Sequence, residues 1–64
     1  MEREERIWTI FKLEEREEQV SIELKHVKNL EQTTFNKFRT LMLQDKLDKI
    51  KREKEFVLAQ PVTL

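Results

Sequence analysis

From Met1 to Gln60 the chain contains neither glycine nor proline, and its one proline is Pro61. Glycine supplies the positive φ that tight turns require, and proline stops helices. A chain without them is predicted to form long regular elements joined by few turns. Cysteine is also missing, so no disulfide can staple a fold of only 64 residues. A chain that short buries only about 60% of the surface its unfolded form exposes. Disulfides, a structural metal or association usually make up the deficit. His26 is the only histidine, which leaves no cluster of soft ligands for a metal. Association remains, so a homodimer or a subunit held by a partner is expected.

The first half divides into two apolar runs. Arg6 to Glu14 reads Arg-Ile-Trp-Thr-Ile-Phe-Lys-Leu-Glu, rich in β-branched and aromatic residues. In Gln19 to Val27, the apolar Val20, Ile22 and Leu24 alternate with Ser21, Glu23 and Lys25, the period of a half-buried strand. On a helical wheel, Ile7, Ile10 and Phe11 fall nearly opposite Val20, Leu24 and Val27. One continuous helix would then lack a single buried stripe. Folded about Arg16 and Glu17, the runs instead pair Leu13 with Val20, Phe11 with Ile22, Thr9 with Leu24 and Ile7 with His26 on one face. A loop over Glu15–Glu18 closes this expected β-hairpin. Its weakness is the turn, which lacks Asn-Gly or Asp-Gly. Glu-Glu-Arg-Glu-Glu is strong helix-forming material as well.

The second half reads as one helix from Thr33 or Thr34, either able to cap it, to about Leu58. Phe35, Phe38 and Met42 form one apolar stripe, with Leu41 beside them. Leu43, Leu47, Ile50 and Val57 form another with Lys54 in the intervening place, the short a/d seam of a coiled coil. The expected fold class is therefore α+β, a β-hairpin followed by one long C-terminal helix. The first stripe would pack on the hairpin, and the seam Leu43, Leu47, Ile50 and Val57 would form a dimer interface. The alternative is an all-α helical hairpin with arms at 3–31 and 34–58. Residues 1–60 make one small domain and 61–64 a flexible tail.

Chemistry is poorly provided for. Ser21 and His26, each the only one of its type, lie five apart on the expected strand and point to opposite faces. No catalytic residue, cofactor or metal ligand is expected, and no phosphate-cradling loop forms without glycine. Glu14, Glu15, Glu17 and Glu18 read as a solvated turn. The longest apolar runs are tripeptides, the start is too acidic for a secretory signal, and a cytoplasmic location without membrane contact is expected.

The 13 basic and 13 acidic residues cancel, but the acids concentrate near the start and the bases later. A regulatory or adaptor protein is the leading functional expectation. It would meet a protein partner through Trp8 and Ile10 on the hairpin's outer face and through Glu14, Glu15, Glu17 and Glu18 at its tip. The alternative is a DNA- or RNA-binding regulator using Lys46, Lys49 and Arg52. Asp45, Asp48, Glu53 and Glu55 interrupt that basic set and can neutralise it at helical spacing. Far-ultraviolet circular dichroism separates the two folds: above about three quarters helix the β-hairpin is excluded, whereas a ββα chain holds closer to two fifths.

Overall fold

The computed structural model describes residues 2–61. It contains two α-helices of 26 residues each, α1 (Arg3–Lys28) and α2 (Thr34–Ala59). They pack against each other as a hairpin extending 51 × 14 × 10 Å. The described residues are 87% helical and contain no sheet. The expected β-hairpin is overturned and the all-α alternative stands. Of the tail expected at 61–64, only Pro61 lies within the described residues.

The helical state of the first half has a local and a tertiary cause. Locally, Glu14–Glu18 are all good helix formers, and nothing there reverses the chain. No described residue adopts positive φ. At the tertiary level, the buried stripe of α1 is not the one built on Ile7 and Phe11. It runs Arg6, Ile10, Leu13, Glu17, Val20, Leu24, Val27, every member buried or half-buried. The spacing is strictly four, three, four, three, which keeps one face toward a partner helix over several turns. Two charged members, Arg6 and Glu17, hide the pattern. Ile7 and Phe11 lie outside it, with Ile22, all more than half exposed. The strand-like alternation of Val20, Ile22 and Leu24 combines a half-buried position, an exposed one and a buried one.

The complementary stripe on α2 is Asn36, Thr40, Leu43, Leu47, Ile50, Lys54, Val57, again buried or half-buried throughout. Leu43, Leu47, Ile50 and Val57 are its buried members. They meet α1 of their own chain. Toward the turn, Leu24 and Val27 cluster with Leu43 and Leu47. Toward the open end, Leu13 clusters with Ile50 and Val57, and Ile10 packs alongside. Val20 touches both clusters. Each such side chain contributes about 1.5–3 kcal/mol by leaving water. That burial holds two helices that would be marginal alone.

The connection at 29–33 reverses the chain without glycine by using side-chain amides. Gln32 Nε2 reaches the carbonyl oxygens of Leu30 at 2.9 Å, Lys28 at 3.2 Å and Val27 at 3.4 Å. These include carbonyls that the end of a helix leaves without partners. Asn36 Nδ2 donates to the Glu31 carbonyl at 2.7 Å. Thr33 caps α2, its hydroxyl accepting from the Asn36 amide at 3.2 Å. Leu47→Ala should lower the unfolding free energy by about 2–5 kcal/mol, and Thr33→Ala by about 1 kcal/mol, as read by urea denaturation of the helical signal. A Leu47 variant as stable as the wild type would contradict this packing.

Candidate binding surface

The core is built from aliphatic side chains only: Leu13, Leu24, Val27, Leu43, Leu47, Ile50 and Val57. The tryptophan and all four phenylalanines of the chain lie outside it: Trp8, Phe11, Phe35, Phe38 and Phe56, each 57–67% exposed. The seam explains this. Two helices packed at close range fill the space between them with Leu, Ile and Val, and no second layer exists to cover a large ring. Large apolar side chains left exposed make this outer surface the candidate site for binding.

Many of the exposed apolar residues gather in two regions. At the open end, α1 and the last turn of α2 enclose an open groove of about 730 Å³, lined by Arg3, Arg6, Ile7, Ile10, Phe11, Glu14 and Leu58. Arg6 fixes its wall by donating from Nη2 to the Leu58 carbonyl at 2.8 Å, a cation closing a helix C-terminus. At the rim, Trp8 stands edge-on to Phe11, with ring centroids 6.0 Å apart and planes at 84°, a favourable aromatic geometry. The other region lies on α2 toward the turn, where Phe35, Phe38 and Met42 are exposed. Arg39 sits 5.9 Å from the Phe35 ring centre. The expectation that these three cover a hairpin face is overturned, since that face does not exist.

The residues expected to meet a partner separate. Trp8 is exposed as anticipated, but Ile10 turns inward beside Leu13, Ile50 and Val57. Glu14, Glu15, Glu17 and Glu18 form no tip and lie in the middle of a continuous helix. Glu17 sits half-buried in the seam. Glu14 meets Lys54 Nζ at 3.3 Å across the two helices. Glu15 and Glu18 border a shallow depression beside Phe11 and Glu14. Trp8 packs against the edge of Phe11.

The expected dimer residues Leu43, Leu47, Ile50 and Val57 are occupied by the chain's own α1. For the basic set, Lys46 and Lys49 line a groove with Arg16, but Glu23 and Glu53 line it too. Lys49 is already paired with Asp45 at 3.4 Å. Arg52 lies farther along, in an apolar groove beside Phe56 and Glu53. Ser21 and His26 are exposed and, five residues apart on a helix, lie roughly 140° around it from each other.

Among the described residues no group of acidic, histidine or cysteine side chains could hold a metal ion. No described helix is long and apolar enough to cross a membrane. Comparison with known protein families, with curated proteins and with solved structures gives no match to this chain.

The Phe35–Met42 stripe was visible in the sequence, but its exposure was not, nor was the part played by Phe56. A second three-four spacing on α2 was the available signal. The Glu14–Lys54 pair crosses the hairpin at half-exposed positions, so Glu14→Gln or Lys54→Gln should cost less than about 1 kcal/mol. A double-mutant cycle by urea unfolding at low and high salt measures the coupling, which should shrink as salt rises.

Proposed function

We propose that this chain is a small non-enzymatic adaptor or regulatory module that holds a protein partner at the open end of its helical hairpin. The supporting observation is the placement of every aromatic side chain outside the core, with Phe11 in an apolar groove and Trp8 at its rim. Tryptophan and arginine are typical anchors of protein interfaces, and this rim carries Trp8, Arg3 and Arg6. A groove between two helices suits the apolar face of an amphipathic helix, which lays its side chains at successive turns into such a cleft. Ile7, Ile10, Phe11 and Leu58 would meet that face. Arg3 would favour a partner carrying an acidic residue beside it.

The test compares capture from the native host's lysate by the wild-type chain and by Ile7→Asp and Trp8→Ala, with proteins identified by mass spectrometry. Both positions are exposed, so circular dichroism should show unchanged helix. The expected result is a protein retained by the wild type and lost by both variants. If everything the wild type retains is also retained by both variants, the open-end groove is not the binding surface.

A further inference from the structure

The outer face of α2 carries a second stripe with the same spacing as the buried one. Phe35, Phe38, Met42, Asp45, Lys49, Arg52, Phe56 and Ala59 follow one another at three, four, three, four, three, four and three residues, and all eight are exposed. Such a spacing holds one face toward a neighbouring helix along its length, here over about 36 Å. The stripe is apolar at both ends and charged in the middle. That order is self-complementary when the helix is set antiparallel to its own copy. With a twofold axis beside Leu47, Phe38 faces Phe56 of the second copy, and Phe35 faces Ala59. Met42 lies under the stem of Arg52, and Asp45 faces Lys49. The last pairing occurs twice, joining the intrachain Asp45–Lys49 pairs into one alternating four-charge group.

We propose that two copies of the chain associate through this stripe, α2 against α2 and antiparallel. Charge and symmetry exclude the competing pairings. Parallel association would set Asp45 on Asp45 and Lys49 on Lys49. The outer face of α1 has its own stripe, Glu4, Trp8, Phe11, Glu15, Glu18, Ile22 and Lys25. Paired antiparallel with itself, it brings Glu15 onto Glu18 twice, with no cation between them. Packing α1 on α2 of the next copy is head-to-tail, and contacts through these outward faces grow into rings or open chains rather than a twofold dimer. Of the twofold pairings, only antiparallel α2–α2 sets opposite charges together. The contact differs from the open-end groove, so either reading can fail without the other.

The decisive measurement is light scattering with sedimentation equilibrium on the full chain at about 100 µM, a concentration at which mass action favours association. The wild type should show twice the 7.9 kDa chain mass. Phe38→Asp and Phe56→Asp should each return the monomer mass with helix content unchanged, while Trp8→Asp leaves the dimer intact. Lys49→Asp alone should weaken association by about tenfold or more, and adding Asp45→Lys should restore most of it, because the swap regenerates the pairing across the axis. Since the chain has no cysteine of its own, Phe38→Cys and Phe56→Cys report the register. Mixed and oxidised, the two variants should cross-link to each other more readily than either does to itself. A wild type that stays monomeric, assembles without limit, or dissociates on Trp8→Asp but not on Phe38→Asp overturns the proposal. So does a charge swap that restores nothing.

Discussion

The fold depends on one seam of short aliphatic side chains between two antiparallel helices. Leu13, Leu24 and Val27 from α1 meet Leu43, Leu47, Ile50 and Val57 from α2, with Ile10 and Val20 at their margin. Neither helix has another surface to bury in the isolated chain. The seam is narrow because two cylinders touch along a line, and a line of contact accommodates Leu, Ile and Val better than rings. The exclusion of every aromatic residue from the core follows from this geometry, and so does the unusual apolar character of the outside.

Polar residues complete the seam rather than interrupt it. Lys54 lies in line with Ile50 and Val57, and it reaches Glu14 on the opposite helix. Arg6, at the far end, satisfies the Leu58 carbonyl. At the other end, Asn36 and Thr33 secure the start of α2, while Gln32 gathers the last carbonyls of α1. These contacts supply at the hairpin's two ends what glycine or a disulfide supplies in other small folds. They also favour one register: sliding either helix by one residue would take Lys54 from Glu14 and rotate the aliphatic stripe away from its partner.

Surface and core stand in an uncommon relation. Among the described residues, seven apolar side chains are buried and eleven large ones are exposed, so these residues leave more large apolar side chains outside than they bury. A narrow seam supports limited stability by itself, and burying part of the exposed set against another molecule would add to it. Binding and stability would therefore be linked in this chain: a molecule covering the outer faces of the folded hairpin would add to its stability.

Several features were legible in the residues. The absence of glycine and internal proline indicated long elements. Thr33 or Thr34 marked the start of α2, with the structure making Thr33 the cap, and the spacing of Leu43, Leu47, Ile50 and Val57 marked its buried face. Trp8 was identified as exposed, and the basic segment as interrupted by acids. The state of the first half was not legible, because Arg6 and Glu17 occupy seam positions and conceal a heptad pattern, while Ile7, Phe11 and Ile22 mimic a core on the wrong side. A wheel drawn on hydrophobicity alone cannot tell an apolar residue that faces water from one that faces a helix. Likewise, the α2 seam specified that something must cover it, and nothing in its own residues says whether that cover is a second copy or the same chain. Only the folded hairpin decided this, because a five-residue connection holds α1 beside α2 at an effective concentration that a separate molecule does not match. By itself, then, the sequence determined the helix α2, the threonine pair at its start and its sticky inner face. The tertiary structure determined which partner covers that face and, as a consequence, which apolar residues are left outside.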